Sequence, residues 1–281
     1  MHRVFLSLPV LALAIAIAAP ATAAEEHCKH TEPRQLDLDI GDAKAVVFDV
    51  ASHDLKLVAR SGNHHGLRGR ACASDAKLLT QLSVTQRREG DKLVVLLRRE
   101  GRSQGLFFFG KNYAYLELDG SVPDDMPIQL KVGSGDAEVR GAVIVSADVG
   151  SGDAVIRDTR GLVAFDVGSG DVEVDGAGSL KGISIGSGDA QARHVRGPVS
   201  IGNIGSGDFD LEDGQGRVEI ESIGSGDAGL SRIGGDVVIG SVGSGNVGAR
   251  EVRGGLTVRS VGSGSIDHSG VTGTVSLPRR H

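Results

Sequence analysis

From Gly133 onward, apolar residues recur two apart between short corners rich in glycine. Numbering each unit from its first glycine, position 5 is Ala137, Ala154, Val172, Ala190, Phe209, Ala228, Val247 and Ile266. Position 7 is Val139, Ile156, Val174, Ala192, Leu211, Leu230, Ala249 and His268, and position 6 is mostly polar or glycine. That alternation predicts a short strand with one face turned to a core. In the last five units a glycine stands at position 12, and a second apolar pair follows at positions 14 and 16. These pairs are Val199 and Ile201, Val218 and Ile220, Val237 and Ile239, Leu256 and Val258, and Val275 and Leu277. Ile204, Ile223, Val242 and Val261 close the unit before the next corner.

The corner is Gly-Ser-Gly-Asp, beginning at Gly133, Gly150, Gly168, Gly186, Gly205 and Gly224. It returns as Gly-Ser-Gly-Asn at Gly243 and Gly-Ser-Gly-Ser at Gly262, with spacings of 17, 18, 18, 19, 19, 19 and 19 residues. A fixed period in this range marks a repeat architecture. Neither strand of a unit can bury its apolar face alone, so the units must stack. The expected fold is all-β: a parallel β-solenoid (β-helix) of about eight coils, rising about 4.8 Å per coil. About five small inward side chains per coil make a thin core, in keeping with 43 glycines, 3% aromatic residues and no tryptophan.

The stretch 25–131 reads as an irregular β-rich cap region, and 132–281 as the solenoid. In the cap, Leu36, Leu38 and Ile40 alternate with polar residues, and Ala45 to Val50 and Leu55 to Ala59 read as short strands. Ser74-Asp75 before Ala76, Leu78, Leu79 and Leu82 predicts an N-capped helix of two turns. A hairpin is expected from Ser83 to Leu97 about Glu89-Gly90-Asp91. Two further strands, Tyr113 to Leu118 and Ile128 to Val132, are separated by Pro123-Asp124-Asp125. Phe107-Phe108-Phe109 holds three of the seven phenylalanines, and three consecutive aromatics cannot share one strand face. Two readings of it stand: a plug for the near end of the stack, which is preferred, or a contact loop.

The first 24 residues read as a signal peptide. Met1-His2-Arg3 is basic, Val4 to Ala19 is apolar, and Ala21-Thr22-Ala23-Ala24 offers small residues for cleavage after Ala23 or Ala24. Export to the periplasm or cell surface is therefore expected, with no transmembrane segment once the signal is removed. The net charge of −6 gives no electrostatic reason to bind nucleic acid. In an oxidising compartment the two cysteines, Cys28 and Cys72, are expected to form a disulfide.

Stacking puts Asp136, Asp153, Asp171, Asp189, Asp208 and Asp227 in one column. At about 4.8 Å in water, neighbouring carboxylates repel by about 0.9 kcal/mol. Calcium along the column is one answer, since glycine- and aspartate-rich coils bind it in other repeats. The order here differs from the calcium-binding G-G-x-G-x-D, and the same position becomes Asn246 and Ser265. Asp, Asn and Ser share a short side-chain oxygen rather than a charge. Corner hydrogen bonding is thus the preferred account, with flanking glycines expected to supply positive φ. A second metal candidate is His27, the third residue of Glu25-Glu26-His27 if cleavage follows Ala24. The amine, two backbone amides and the imidazole would then suit Cu(II) or Ni(II). His64-His65, between Gly62 and Gly66, reads as a solvated turn.

No nucleophile elbow, phosphate loop or singled-out carboxylate pair marks a catalytic centre. Phe165 and Phe209 fall at inward positions, which leaves no aromatic platform for a glycan on the repeats. The Gly-Ser-Gly-Asp corners, with the Cys28 segment and the strand-rich region before them, resemble a bacterial group of exported β-strand-repeat proteins. That group is of unknown function and adhesin-type. The resemblance implies a β-solenoid in the cell envelope with an adhesive or scaffold role, and it brings no catalytic residues to carry over. The expectation is a non-enzymatic contact protein that needs no cofactor, with envelope or surface proteins, or copies of itself, as partners. A metal- or ligand-binding envelope protein is the alternative.

Overall fold

The apolar pairs become strands, two to a coil, in a computed structural model that describes residues 28–62, 64–101 and 112–279. The leader, Glu25-Glu26-His27 and Phe107–Phe109 lie outside the described residues. In order, the elements are β1 (His30–Asp37), β2 (Ala45–Ala51), β3 (Asp54–Ala59), β4 (Gly66–Ala73) and α1 (Ala76–Leu79). Then come β5 (Leu82–Glu89), β6 (Lys92–Arg99), β7 (Ala114–Val122), β8 (Ile128–Val132) and β9 (Ala137–Arg140). Each later coil adds one strand to each of two sheets, ending with Ser265–Ser269 in the first and Val275–Ser276 in the second. Among the described residues both sheets have twelve strands, and the repeat strands pair in parallel with matched positions in register. The architecture is a parallel β-solenoid.

Positions 5 and 7 of the first seven units, and positions 14 and 16 of the four units beginning at Gly186, Gly205, Gly224 and Gly243, point inward, and Phe165 and Phe209 are fully buried. A sixth inward position escaped the sequence count. Position 9 is left-handed in all eight Gly-Ser-Gly units: Gly141, Asp158, Gly176, His194, Asp213, Arg232, Glu251 and Gly270 all have φ between 55° and 80°. The left-handed residue breaks the two-residue alternation and turns position 10 into the core. Ala142, Ala177, Val195, Ile233 and Val252 are buried there.

The corner glycines do not supply positive φ, contrary to expectation; none of those in Gly-Ser-Gly has it. Their necessity comes from stacking. A Cβ built on Gly207 would overlap the carbonyl oxygen of Gly188 one coil away, and Gly152, Gly170, Gly188, Gly226, Gly245 and Gly264 meet their predecessors in the same way. Adjacent corners approach too closely for any side chain at position 3.

The parallel ladders continue past residue 132 into the earlier part of the chain. The first sheet runs β1-β4-β7-β3-β9 and then the repeats; the second runs β5-β6-β2-β8 and then the repeats. The coil β2–β3 is therefore intercalated between β6–β7 and β8–β9, although β7 and β8 are neighbours in the chain. Val46, Phe48 and Leu55 share registers with Ile128, Leu130 and Ala137. Antiparallel β1, β4 and β5 close this end, with α1 packed on β1 and β4. At the other end the inward residues emerge: Val275 is 37% and Leu277 39% exposed.

Several local expectations shift. The helix has one turn rather than two, capped by the Asp75 carboxylate, which accepts from the Lys77 N–H at 2.9 Å. Strand β4 had no clear alternation to announce it. His65, placed in a solvated turn, is only 8% exposed. Its Nε2 lies 2.9 Å from the Gly62 carbonyl oxygen. Cys28 and Cys72 form the expected disulfide across 44 residues, tying the segment before β1 to β4.

Candidate functional site

The column of acidic corners is the most regular chemical feature of the chain. Each side-chain oxygen accepts the backbone N–H of the same position one coil on. Asp136 accepts from Asp153 at 3.4 Å, Asp153 from Asp171 at 3.3 Å and Asp171 from Asp189 at 3.0 Å. Asp189 accepts from Asp208, and Asp208 from Asp227, both at 2.8 Å. Asp227 then takes both the backbone N–H (2.7 Å) and the side-chain amide (3.0 Å) of Asn246. Asn246 in turn accepts from the N–H and hydroxyl of Ser265.

A hydrogen bond to a charged group contributes about 1.5–3 kcal/mol, more than the about 0.9 kcal/mol of repulsion between exposed neighbours. The N–H between successive carboxylates thus offsets the repulsion between them. All six sequence-predicted aspartates stand in this one column; His27 lies outside the described residues. Among the described residues, no group of three or more His, Cys, Asp or Glu side chains could hold a metal ion.

The column has an earlier rung that the sequence motif conceals. Ser134 N–H donates to the Ala51 carbonyl at 2.9 Å, as Ser151 N–H does to Gly133 at 2.6 Å. Ala51-Ser52-His53-Asp54 therefore takes the place of a corner, with His53 at the second glycine, although Ala51 is left-handed at φ 54° and the Asp136 N–H donates to the His53 carbonyl at 3.1 Å. Asp54 lines a groove of about 510 Å³ with Glu117, Asp119, Asp136, Glu138 and Asp153. Burial pushes its carboxyl above the ordinary range, a hydrogen bond with the Asp136 backbone opposes this, and Asp136 and Glu117 add repulsion. Arg70 holds Glu117 at 2.6 Å.

Next to the column, the outer face of the first sheet carries ion pairs between coils. Arg157 reaches Glu138 at 2.9 Å and Arg193 reaches Glu173 at 3.0 Å. On the left-handed column, His194 lies 2.7 Å from Asp175 and 3.8 Å from Asp213, and Arg232 pairs with Asp213 at 2.6 Å and with Glu212. The hydrogen bond to Asp175 raises the His194 pKa, and Arg232 holds Asp213 below the usual carboxylate range. All these groups are substantially exposed, so each pair adds little to stability. A trough of about 800 Å³ runs beside them, lined by Arg196, Gln215, Arg253 and Thr272 among others. Such surfaces can hold a partner by charge and shape; the grooves described here stand open to solvent.

Missed by the sequence reading were the corner at Ala51, the left-handed column and the burial of His53. Only the Ser52–Asp54 spacing could have betrayed the first.

No protein-family profile and no curated protein matches the chain. Among solved structures, it aligns with a candidate lipid-binding protein from Parabacteroides distasonis ATCC 8503. The identity is 17%, over 84% of this chain and 96% of that one, with a TM-score of 0.49. A candidate adhesin from the same organism aligns at 14% identity over 88% and 97% of the two chains, with a TM-score of 0.38. A candidate adhesin from Bacteroides fragilis NCTC 9343 aligns at 12% over 87% and 96%, with a TM-score of 0.37.

Proposed function

We propose that the chain is an exported, non-enzymatic contact protein of the cell envelope, presenting the outer faces of its solenoid to surface proteins or to other copies of itself. The observation that carries this reading is the pair of unbroken twelve-stranded sheets. Eleven intervals of about 4.8 Å give each sheet a span of about 53 Å. Along it, outward side chains such as Glu173, Gln191 and Asp210 stand in register, mostly polar or small, on a backbone held by ladders on both sides. A rigid, repetitive polar face suits many weak contacts made together, in the way other solenoids use their extended surfaces. The Cys28–Cys72 disulfide supports an oxidising compartment, and with it export.

Two measurements test this reading. Cell fractionation should find the mature chain in the periplasm or at the surface, and immobilised protein should retain an envelope component saturably. A chain held in the cytosol, or retention that rises linearly without a plateau, would overturn it. Melting with calcium and then with EDTA separates the alternative: a large calcium-dependent shift would move the function to ligand binding along the acidic column.

A further inference from the structure

The intercalated coil is clasped from both sides, and one buried imidazole stands at its outer boundary. His53 is 0% exposed. Its Nδ1 accepts the backbone N–H of Leu116 on β7 at 3.2 Å, so that nitrogen is unprotonated. Nε2 then carries the ring hydrogen, and it has no hydrogen-bond partner.

The place exists because of the topology. In every later corner, position 3 must be glycine, since the preceding corner lies against it. Among the described residues, no Gly-Ser-Gly corner lies below His53, where β7 stands instead. The imidazole faces β7 there, and it links two strands that are 63 residues apart in the chain.

The charges around His53 come from each element packed against it. Arg98 and Arg99 on β6 disfavour a second positive charge, although Asp49 on β2 pairs with Arg98. Asp54 of the same corner, Glu117 of β7 and Asp136 of the next corner line the open groove, with Glu117 already engaged by Arg70 of β4. A proton added at Nδ1 would set two donors against each other at Leu116 and leave a cation without a buried partner.

We propose that His53 is an acid-operated latch: its neutral ring fastens β7, with β4 and β1 behind it, to the coil β2–β3, and protonation releases them. Release would uncover the edge of β3 and the inward Leu55 and Leu57, both buried in the closed form.

Burial pushes the His53 pKa down to about 4, against about 6.5 for a free side chain. The open form therefore binds the proton more tightly. The latch is at full strength above about pH 6.5, weakens as the pH falls, and has lost its whole contribution below about 4. The opening equilibrium should rise about 30-fold between pH 8 and pH 5, and about 300-fold at most. Asp54, with its raised pKa, works in the opposite sense, favouring the closed form when protonated. Asp49, held low by Arg98, contributes only below the usual carboxylate range.

The test is hydrogen exchange on the full, oxidised chain from pH 8 to pH 5, corrected for intrinsic rates. Amides of Tyr115 to Leu118 should open about 30-fold more at pH 5, while those of Val218–Ile223 should not change. In His53→Gln, the side-chain oxygen can still accept from Leu116 and cannot become charged; the rise should disappear. An acid response that persists in His53→Gln, or a flat response in the wild type, overturns the latch. If His53→Gln does not fold, the wild-type ring decides by NMR titration. A ring that protonates near 6.5 in the closed form overturns the proposal, and one that stays neutral down to about pH 4 while β7 opens sustains it.

Discussion

The coil Ala45–Ala59 and any repeat coil both receive the next coil at a corner carbonyl, while differing there in sequence and in backbone, since Ala51 is left-handed at φ 54°. Ala51-Ser52-His53-Asp54 receives the next corner as Gly205-Ser206-Gly207-Asp208 receives its own, through the carbonyl of the first residue. One carries an imidazole where the other tolerates no Cβ at all. The difference teaches that the glycine is demanded by the neighbour beneath rather than by the corner's own backbone. At His53 the described neighbour beneath is β7, and there the position carries a side chain.

The sharpest way to break this comparison is Gly207→Ala. Its methyl would overlap the backbone of Gly188, which is itself held by the ladders and cannot retreat as a side chain can. The expected loss is at least about 3 kcal/mol, above the common range for overpacking because two main chains must separate. Urea denaturation measures it, and a cost below about 1 kcal/mol would show that corner spacing is adjustable. Next comes removal of the disulfide by Cys28→Ser with Cys72→Ser. A loop of 44 residues corresponds to about 3–4 kcal/mol in the chain-entropy model. The loss should appear as faster hydrogen exchange in β1, β4 and β7, with the repeats downstream of β9 unchanged. Uniform loss along the solenoid would instead mean that the cap and the repeats unfold as one unit.

How far the sequence could foretell this follows from the same contrast. The eight corners were legible because the close approach of main chains repeats the same demand in every coil, and glycine alone meets it. Inward residues such as Phe209 and Ile220 were legible through the two-residue period. The left-handed column was not: Asp158, His194, Arg232 and Glu251 share a backbone conformation and no side-chain chemistry. The coil Ala45–Ala59 was read as strands, yet its place between β7 and β9 depends on pairings across long stretches of chain, which no local pattern records. For the same reason His53 looked like an ordinary residue between two strands. The acidic column was legible as a column, and the series Asp227, Asn246, Ser265 pointed to a shared acceptor oxygen, the role that the ladder of N–H donors gives it.

A smaller effect separates charge from acceptor in that column. Asp227→Ala removes the acceptor for both donors of Asn246 and should cost about 1–2 kcal/mol. Asp227→Asn keeps an oxygen in place and relieves repulsion from Asp208, so thermal melting should place it within about 0.5 kcal/mol of the wild type. If the two variants lose the same amount, the column acts through its charge and the corner account fails.

The smallest expected effect is a gain. Glu251 holds φ at 56° on the exposed left-handed column, and among the described residues no hydrogen bond or ion pair compensates it. An L-residue pays about 1–2 kcal/mol for this conformation, whereas glycine adopts it freely at the cost of a more flexible unfolded chain. Gly141, Gly176 and Gly270 already occupy the same position in other coils. Glu251→Gly should therefore stabilise the protein by about 0.5 kcal/mol, seen as a small rise in the urea midpoint. Asp213→Gly should gain less or lose, because it also discards the pairing with Arg232. The order of these two variants measures whether the side chains on the left-handed column repay the strain of standing there. If Glu251→Gly destabilises the protein, Glu251 holds the column by a contact to solvent-facing neighbours, and the bend is set by its side chains as well as by its backbone.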